Sequence, residues 1–442
     1  MNTLFPQSTQ LLSRSHYPVV VVGGGQAGLS TSYFLQQNGI EHIVFEKNRV
    51  AHSWRADRWD TFCLVTPNWQ CRLPGFPYPG DDPQGFMLKD QIVDYVEAFA
   101  RRIAPPIVEG VAVSHVTRGA SGRLEVTTSA GHFTTDHIVV ATGGYDIPIV
   151  PAYAERLPSH IQQIHSVNYR NPESLPPGEV LVVGSGQSGV QIMEDLHLAG
   201  RKVHLCVGPA PRSPRVYRGR EATEWLMDMG YYELTVERHP LGEKAREKTN
   251  HYMTGRDGGH EIDLRRFARE GVRLYGSLAN IQGATLEFLP DLSRNLDDAD
   301  EVYVSIRKDI DKYIAAQGID APVEPEFEKL WAPGVDPLSL DCEAAGITSI
   351  VWAIGFRPDY RWIELPSFDG RGNPKYQRGV SPVPGLYFLG LPWLHTWGSG
   401  RFLGVADDAR HLAEVIAGRL AAAETGETAE AGAATLPQAA VA

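Results

Sequence analysis

Two glycine-rich turns with the same spacing are the residues of this chain whose chemistry is easiest to recognise. Each has the pattern G-x-G-x-x-G, at 23–28 and 184–189, and each follows a short run of valine and leucine. In such a strand–turn–helix, the first glycine makes a tight turn, the second leaves room for a pyrophosphate and the third lets the helix pack on the strand. The helix N-terminus then offers free N–H groups and a partial positive charge to phosphates.

The presence of two such motifs, a domain's length apart, carries more information than either one alone. A single motif is weak evidence, and both could be ordinary glycine turns of an α/β sheet. Two of them, each between a β-branched run and an amphipathic stretch, predict that the chain holds two dinucleotides at once. The economical interpretation is a flavin that takes electrons from a nicotinamide.

An acidic residue distinguishes the first turn. A predicted helix over 29–37 is followed by Asn38 and Gly39 as a stop, and a second predicted strand over 42–45 ends in Glu46. A carboxylate about 20 residues after the turn can accept hydrogen bonds from both ribose hydroxyls of an adenosine. The motif therefore favours FAD at the first turn, although a solvent-exposed glutamate at a strand end would look the same.

Arginines take the place of that acid after the second turn. The strand predicted over 202–207 has no acidic residue at its end, and it is followed by Arg212, Arg215, Arg218 and Arg220. A guanidinium group can bind the 2′-phosphate of NADP with paired hydrogen bonds, so this sequence predicts NADPH at the second turn. A basic loop in contact with solvent is the alternative.

The composition limits the class of protein. The chain has 442 residues, which indicates two domains, and its 43% hydrophobic and 21% charged residues are typical of a globular enzyme. A formal net charge of -12 argues against nucleic acid and against an anionic membrane as partners. The N-terminus lacks the pattern of a secretory signal and no apolar run is long enough to span a bilayer, so we expect a cytoplasmic protein.

The fold class predicted is α/β, with two Rossmann-like dinucleotide-binding domains. The NADP-binding domain, 151–358, is expected to be inserted into a discontinuous FAD-binding domain formed by 17–150 and 359–423, because a strand and glycine turn of the same style return near the end of the chain. Residues 1–16 are expected to be a flexible N-terminal arm. Residues 424–442 are mostly Ala, Glu, Thr and Gly without periodicity, which predicts a disordered tail.

Two further motifs, in a fixed order, make the chain resemble a known family. Ala-Thr-Gly at 141–143 precedes the second turn, and Ala-Ile-Gly-Phe at 353–356 follows it. Together with the two glycine turns, these segments resemble the class B flavin-dependent monooxygenases from about residue 17 to about residue 418. The resemblance implies the fold given above, with FAD and NADPH as cofactors.

The hallmark of that family, F-x-G-x-x-x-H-x-x-x-(F/Y), has a partial counterpart just ahead of the second turn. His165 and Tyr169 fit the pattern, whereas Ser159 and Ile161 stand in place of the Phe and the Gly. Baeyer–Villiger relatives carry Trp near the position of Tyr169. The chain is therefore more similar to the branch that oxygenates nitrogen and sulfur.

A bacterial subgroup is more similar still. The aromatic loop over 59–69 and the segment over 393–408 resemble flavoprotein oxidoreductases that accompany a nitrilase in cyanide- and nitrile-assimilation clusters. This resemblance implies O2 and a small-molecule substrate, in that context a small nitrogen compound. The sequence leaves open whether the protein is a monomer or a homo-oligomer.

The resemblance also implies which residues hold the cofactors. For FAD they include a backbone contact to the adenine at residue 113 and a glycine near the flavin at residue 390: Gly23, Gly25, Gln26, Gly28, Glu46, Trp54, Val113 and Gly390. For NADPH they are the second turn and two of the arginines: Gly184, Ser185, Gly186, Gln187, Ser188, Gly189, Arg212 and Arg215. No metal site is indicated.

Two candidates for catalysis lie in loops expected near the flavin. Members of the family place there an amide that hydrogen-bonds NADP and the peroxyflavin, and Asn68 is the matching candidate. His395, between Trp393 and Trp397, is a candidate catalytic histidine, with a packed loop histidine as the alternative. In the implied mechanism NADPH reduces the flavin, O2 adds at flavin C4a, and a nucleophilic substrate takes one oxygen atom in a site that excludes water.

Three other functions use the same cofactor motifs. A disulfide reductase would need a redox dithiol, but Cys63, Cys71, Cys206 and Cys342 form no C-x-x-C. An NADPH oxidase or simple flavin reductase differs only in lacking a stable oxygen adduct. A flavin-binding sensor or scaffold would show no rapid NADPH turnover. The missing dithiol and the partial hallmark favour the monooxygenase.

Overall fold

The structure is a computed structural model that describes residues 8–425. These residues form a mixed α/β fold with helices numbered here in chain order: α1 Ser8–Leu12, α2 Gln26–Gln37, α3 His52–Ala56, α4 Lys89–Ile103, α5 Gln187–Leu198, α6 Ala222–Asp228, α7 Leu264–Arg269, α8 Leu292–Gln317 and α9 Val405–Thr425. The α/β class and the first predicted helix and strand are thereby confirmed.

The strands are numbered in the same way: β1 His16–Val22, β2 His42–Glu46, β3 Arg72–Leu73, β4 Phe76–Pro77, β5 Ile107–Glu109, β6 Val113–Arg118, β7 Leu124–Thr128, β8 Gly131–Val140, β9 Ile147–Pro148, β10 Gln162–His165, β11 Glu179–Val183, β12 Val203–Cys206, β13 Val216–Tyr217, β14 Arg220–Glu221, β15 Arg273–Tyr275, β16 Leu278–Gln282, β17 Thr285–Phe288, β18 Ser339–Asp341, β19 Ile347–Trp352, β20 Phe356–Arg357 and β21 Leu386–Phe388.

The first large sheet is arranged around β1. Its order is β5-β2-β1-β8-β7-β6, with β21 also paired to β8. Strands β2, β5, β8 and β21 run parallel to β1, whereas β6 and β7 form an antiparallel extension on β8. Strand β1 reads HYPVVVV, and such β-branched runs suit a parallel strand that is covered on both faces.

The second large sheet is parallel throughout. Its order is β10-β19-β11-β12-β15, and α5 connects β11 to β12 as α2 connects β1 to β2. In each sheet, the strand after the helix accepts a hydrogen bond from the first glycine of the turn. Gly23 N–H donates to Phe45 O at 2.8 Å, and Gly184 N–H donates to Cys206 O at 3.2 Å. The two glycine motifs therefore occupy equivalent places in the two sheets.

Two short strands, β9 and β20, lie where the chain leaves the first sheet and where it returns to it. After β8 it forms β9, then every strand of the second sheet, and then β20, which pairs with β9 in antiparallel fashion before β21 rejoins the first sheet. The strands of the first sheet thus flank those of the second in sequence. The domain boundaries 17–150, 151–358 and 359–423 themselves remain predictions.

Alternate side chains of β1 build two different cores. Val19 and Val21 pack with α2, α4 and α9, whereas Val20 and Val22 pack with strands β6 to β8. The same alternation divides the residues of β11 between two further cores. Because side chains alternate across a strand, each sheet has an apolar layer on both faces, and its strand ends are held in place.

The glycine at the end of each motif is required by a close approach of helix and turn. An ideal Cβ on Gly28 would lie 1.8 Å from Gly23 O, and one on Gly189 would lie 1.8 Å from Gly184 O. Gly23 and Gly184 also have positive φ angles of 111° and 106°. No other residue type fits these four positions without displacing the helix or the strand.

Part of each predicted terminal segment is described by the structure. Within 1–16, α1 is helical, and Tyr17 Oη donates to Leu11 O at 2.8 Å, so this part of the segment contacts β1, and the flexible arm remains a prediction. Helix α9 extends to Thr425, which includes the first two residues of the predicted tail. Residues 1–7 and 426–442 lie outside the described residues. Within 8–425 no helix is both long and apolar enough to cross a membrane.

We predict that alanine at Gly28 and alanine at Gly25 have opposite consequences. Gly28→Ala should destabilise the apoprotein by at least about 2 kcal/mol, because its Cβ collides with a backbone carbonyl. Gly25→Ala should leave the apoprotein's melting temperature unchanged, since no protein atom lies within 4 Å of that Cβ. Circular dichroism melts of both apo-variants check this. A normal melting temperature for Gly28→Ala would contradict the close packing.

Candidate functional site

Both glycine turns open into one large cavity of about 2130 Å³. This exceeds the roughly 300–1,000 Å³ of a pocket for one small molecule. The sequence-predicted residues that line it are Gly23, Gly25, Gln26, Glu46, Trp54, Val113, Gly390, Gly184, Ser185, Gly186, Gln187 and Ser188. The two turns and Glu46 lie at the carboxyl ends of the parallel strands β1, β11 and β2, where open α/β sheets bind ligands. Gly28 and Gly189 do not line the cavity and support it through packing.

Backbone amides supply the anion-binding capacity of each turn. The first intrahelical hydrogen bond of α2 runs from Leu29 N to Gly25 O at 3.0 Å, and that of α5 runs from Val190 N to Gly186 O at 3.1 Å. The amides of the preceding helical residues therefore have no helical partner. A Cβ on Gly25 or Gly186 would meet nothing within 4 Å, so that space is available to a pyrophosphate.

Glu46 stabilises the first glycine turn, in addition to its predicted role as a ligand of the adenosine ribose. Its Oε2 accepts from Gly24 N at 2.6 Å and its Oε1 accepts from Asn48 N at 2.8 Å, and only 8% of the residue is exposed. These bonds fix the carboxylate at the rim of the first turn. Each carboxylate oxygen keeps a second lone pair, so Glu46 can still accept from ribose hydroxyls.

Gln26, the first residue of α2, connects the first turn to two distant segments. Its Oε1 accepts from Trp54 Nε1 at 3.2 Å, and its Nε2 donates to Gly400 O at 3.2 Å. The Trp54 ring stacks on Phe402 with a centroid distance of 5.8 Å. Helix α3 and the loop after β21 are thereby held against the same turn, and their rings, Trp54 and Phe402, both line the cavity.

The second turn has an equivalent brace. Gln187, the first residue of α5, accepts from Met253 N at 3.3 Å and donates to Met253 O. Ser185 Oγ accepts from Gly208 N at 2.9 Å, which attaches the turn to the loop after β12. In both motifs, the glutamine at the helix start thus orders a neighbouring loop instead of pointing only at a ligand.

Arg212 does not reach the cavity. It is 2% exposed and makes ion pairs with Asp300 at 3.1 Å, Asp263 at 3.2 Å and Glu261 at 3.7 Å. Its guanidinium lies over the Tyr303 ring, 4.2 Å from the centroid. Its Nη1 faces two carboxylates, and its Nε is buried without a partner, so Arg212 presents no exposed pair of donors to a phosphate.

Arg215 is equally buried, although its Nε and Nη2 have no hydrogen-bond partner. It is 2% exposed, donates to Val65 O at 2.8 Å, pairs with Glu221 at 3.1 Å and lies 4.0 Å from the centre of the Phe86 ring. The interpretation of Arg212 and Arg215 as ligands of a 2′-phosphate is therefore corrected. The prediction rested on the position of the two arginines shortly after the second glycine motif. In the structure, neighbouring carboxylates and aromatic rings hold both side chains inside the protein.

The proposed catalytic amide is also structural. Asn68 is 2% exposed; its Nδ2 donates to Asp82 O at 2.9 Å and its Oδ1 accepts from Met87 N at 3.0 Å. The side chain fastens the aromatic loop to the segment before α4 and does not line the large cavity. The structure thus places Asn68 outside the lining of the large cavity, and its contacts do not support the predicted catalytic role.

His395 faces a different cavity. It lines a smaller one of about 510 Å³ on the other side of the loop that follows β21, together with Arg378 and Asp408. Burial lowers the pKa of His395 and raises that of Asp408 to about 6. A role for His395 at the flavin is therefore not supported, since the loop separates it from the large cavity.

One buried aspartate connects the two halves of the protein, and the sequence gave no sign of it. Asp195 of α5 accepts from Thr61 Oγ1 at 2.6 Å, Tyr169 Oη at 2.7 Å and Arg256 Nη1 at 2.8 Å. Burial and this carboxylate raise the pKa of Tyr169 far above its usual range. The Tyr of the partial hallmark is thus a fixed hydrogen-bond donor that helps to hold the aromatic loop against α5.

His165, the other hallmark residue, joins the end of β10 to the turn after β19. Its Nε2 lies 3.1 Å from Gly355 O, and its ring packs edge-on against Phe356 at 4.7 Å. Burial lowers the pKa of His165, which favours a neutral ring that donates to the carbonyl. Both hallmark residues therefore position the cavity wall.

Two arginines that sequence patterns did not single out do line the large cavity. Arg58 lies over the Trp54 ring at 5.2 Å, and Arg401 donates to Asn250 Oδ1 at 2.7 Å. Within residues 8–425, neither has a carboxylate closer than 4 Å, and burial lowers the pKa of both. Both arginines can therefore contact an anionic group of a ligand. Their neighbours in the structure show this, whereas the sequence pattern did not.

All four cysteines are buried and free. Burial raises the pKa of Cys63 to about 11 and that of Cys71 to about 12, and it also raises the pKa values of Cys206 and Cys342. Thiols of this kind are protonated at neutral pH and react poorly. The chain therefore offers no redox dithiol at the cavity.

Comparisons with known proteins agree with this geometry. A family model described as pyridine nucleotide-disulphide oxidoreductase matches residues 20–226. An uncharacterized CzcO-like oxidoreductase of Geobacillus kaustophilus is 32% identical over 398 residues, covering 89% of this chain and 96% of that protein. The indole-3-pyruvate monooxygenase YUCCA6 of Arabidopsis thaliana is 32% identical over 200 residues, which is 43% of this chain and 48% of that protein.

A solved structure shows the same fold. The flavin-containing monooxygenase from Stenotrophomonas maltophilia superposes with a TM-score of 0.63 at 18% identity, over 92% of this chain and 100% of that chain.

We predict that Arg212→Ala acts on stability and not on nucleotide choice. Leaving Asp263 without its cation, and Asp300 with only Arg265, should cost about 3 kcal/mol of unfolding free energy. Arg220→Ala, on the same segment but half-exposed, should cost less than about 1 kcal/mol. Thermal melts together with NADPH and NADH titrations check this. A stable Arg212→Ala protein with a selective loss of NADPH affinity would restore the original interpretation.

We predict a pH-dependent stability difference between the wild type and Asp408→Asn. Because burial raises the pKa of Asp408 to about 6, the folded state binds this proton more tightly than the unfolded state, and stability falls as pH rises from about 4 to 6. Above pH 6 the Asn variant should be more stable by about 1–3 kcal/mol, with the gap closing near pH 4. Melting temperatures from pH 4 to 8 check this. A constant gap would show that Asp408 titrates normally.

Proposed function

The chain belongs to the CzcO-like oxidoreductases, a flavin-dependent monooxygenase-like family, and we propose that it is an NADPH-consuming monooxygenase built from two Rossmann-like domains. In this proposal FAD occupies the first glycine turn, NADPH occupies the second, and the NADP-binding domain is inserted into the FAD-binding domain. One oxygen atom of O2 is transferred to a small nucleophilic substrate. The observation that carries the proposal is the single cavity onto which both turns open.

The residues at the first turn fit FAD. The amides at the start of α2 and the open space at Gly25 suit the pyrophosphate, and Glu46 is held where an adenosine ribose would lie. Trp54 and Phe402 offer aromatic surfaces beyond the turn, next to Gly390. These are contacts of the kind that a flat ring system requires.

The residues at the second turn fit a nicotinamide dinucleotide and tolerate a 2′-phosphate. Phe45 and Cys206 hold equivalent glycine amides, so the residue that corresponds to Glu46 is Val207, which is 2% exposed. A carboxylate at that place would repel a 2′-phosphate, and a valine does not. NADPH is therefore retained in the proposal without Arg212 and Arg215.

Within this cavity the protein's own contribution is to position the reactants and exclude water. When bound, the nicotinamide supplies a hydride and the flavin supplies the chemistry of O2 activation. The rings of Trp54, Trp59, Phe62 and Phe402 line the cavity and limit access of water. Nothing in the cavity needs to act as a nucleophile. We propose a soft nucleophile as substrate: an amine, a thioether or another small nitrogen compound.

The geometry disfavours one alternative function, the disulfide reductase, and is compatible with another, the NADPH oxidase or flavin reductase. A disulfide reductase is disfavoured, because the four thiols are buried with raised pKa values. An NADPH oxidase or flavin reductase would use the same turns and is separated from the monooxygenase by its product. The cytoplasmic location and the oligomeric state remain predictions.

We predict that the purified protein carries one FAD per chain and couples NADPH oxidation to oxygen transfer. With ¹⁸O2 and a panel of amines, thioethers and small nitrogen compounds, at least one compound should gain a single ¹⁸O while hydrogen peroxide falls below stoichiometric yield. Mass spectrometry and a peroxide assay measure this. Gly25→Ala is the control, which should fold but lose FAD because its Cβ occupies the pyrophosphate space. Stoichiometric peroxide with every compound would make the protein an NADPH oxidase.

A further inference from the structure

Two arginines of the large cavity have no ion-pair partner. Arg58 and Arg401 line this cavity, and within residues 8–425 neither lies within 4 Å of a carboxylate oxygen. Arg246 lines the same cavity and, in contrast, is paired with Glu243. Carboxylates are not scarce in a chain with 53 acidic residues and 41 lysines and arginines. The fold therefore leaves two cations unpaired in a place that a ligand can enter.

The guanidinium group of Arg401 is held in one orientation by groups without charge. Its Nη2 donates to Asn250 Oδ1 at 2.7 Å, its Nη1 donates to Trp397 O, and the group lies 4.0 Å from the centre of the Trp397 ring. Its Nε has no hydrogen-bond partner in the described part of the chain and, unlike Nε of Arg212 and Arg215, is not buried. The cation is thus positioned in advance, but its charge is not neutralised.

Arg58 offers a complete edge of its guanidinium group. Its Nη1 donates to Asp57 O at 2.9 Å, whereas its Nε and Nη2 donate to no protein atom between residues 8 and 425 and are not buried. The group lies over the rings of Trp54 and Phe62, at 5.2 and 5.4 Å. The Asp57 carboxylate acts on the pKa of Arg58 from more than 4 Å away. Two free N–H groups on one edge are the arrangement that binds both oxygens of a carboxylate.

The two guanidinium groups border the same part of the cavity. The Trp54 ring, next to Arg58, stacks on Phe402 at a centroid distance of 5.8 Å, and Phe402 follows Arg401 in the chain. The phenol of Tyr145, which also lines the cavity, acts on the pKa of both arginines. Two unpaired cations in one region repel each other, and an anion bound between them would remove that repulsion.

The cofactor phosphates proposed above lie elsewhere in the cavity. The pyrophosphates are assigned to the starts of α2 and α5, and a 2′-phosphate is assigned to the end of β12, beside Val207. Arg58 follows α3 and Arg401 precedes α9, and both lie next to the aromatic surfaces proposed for the flavin ring. An anion at these arginines is therefore beside the reacting ring, which is the place of the substrate.

We infer that the substrate carries a carboxylate, which Arg58 and Arg401 bind while its nitrogen or sulfur atom faces the flavin. The two arginines are then specificity-determining residues: they select anionic nucleophiles and fix one end of the molecule. The identification of this ligand as the substrate rests on the proposed function. The binding of a carboxylate by the two arginines does not, because it requires no oxygen transfer.

The test compares acids with their amides. The probes are methylthio- and dimethylamino-carboxylic acids of increasing chain length, each paired with its primary amide, which lacks the carboxylate charge. Binding to the oxidised holoprotein is measured by the change in flavin absorbance. At least one acid should bind about tenfold or more tightly than its amide, as expected for a charge-assisted pair of hydrogen bonds. The same acid should gain one ¹⁸O from ¹⁸O2 more efficiently than its amide.

Variants assign the preference to the two arginines. Arg401→Gln and Arg58→Gln should each lower the affinity for the acid about tenfold and leave the affinity for the amide, the FAD content and the affinity for NADPH unchanged. Arg246→Gln is the matched control, because Arg246 lines the same cavity but is already paired with Glu243. It should keep the wild-type ratio of acid to amide affinity.

Four results would overturn the inference. One is that no acid binds more tightly than its amide to the wild type. Another is that a glutamine variant folds but loses FAD or binds NADPH tenfold more weakly, because the arginine then holds a cofactor phosphate. A third is an unchanged ratio in both glutamine variants. The last is an equal loss of the ratio in Arg246→Gln, because the preference would then come from the overall charge of the cavity.

Two further arms keep the test decisive. If Arg401→Gln fails to fold, Arg401→Lys, which keeps the charge and lacks the planar fork, should still weaken acid binding and leave amide binding unchanged. Stoichiometric peroxide with every acid would remove the proposed monooxygenase function alone. The acid and amide affinities would still show whether the two arginines bind a carboxylate.

Discussion

The contact of each helix with the turn that precedes it is the constraint on which the large cavity depends. At both motifs, a carbonyl of the turn occupies the space where the third glycine would carry a Cβ, at 1.8 Å. This approach aims the first helical amides at the ends of the strands. Because the same contact occurs at equivalent places in two sheets, two anion-binding helix starts converge on a single cavity.

Polar side chains attach the surrounding segments to the two turns and to α5, and in this way they determine the shape of the cavity. Gln26 and Gln187 each begin a helix and each attach a distant loop to their turn, and Asp195 ties the aromatic loop to α5. Buried and satisfied hydrogen bonds of this kind fix a unique arrangement of loops. Asn68, which the sequence offered as a candidate for catalysis, and the hallmark Tyr169 both belong to this group of positioning residues.

The loop after β21 is the feature that relates the two cavities. One of its sides carries Gly400 and Arg401 to the proposed flavin site, and the other carries His395 to the cavity with Asp408. A single segment therefore borders both cavities. It also explains why a histidine between two tryptophans was an attractive candidate for catalysis and yet lies elsewhere.

The sequence by itself determined the α/β class and the two motifs, and twelve of the sixteen residues predicted to bind the cofactors do line the large cavity. These follow from local rules: a β-branched strand, a glycine turn and a helix start are recognisable from adjacent residues, and Glu46 follows at a fixed distance. Partners that are distant in sequence were decided only by the tertiary structure. Arg212 was expected at a phosphate, but Asp300, 88 positions later, meets it at 3.1 Å. Spacing along the chain shows where a charge is placed, whereas burial and the charges brought beside it by the fold decide whether that charge is free to bind.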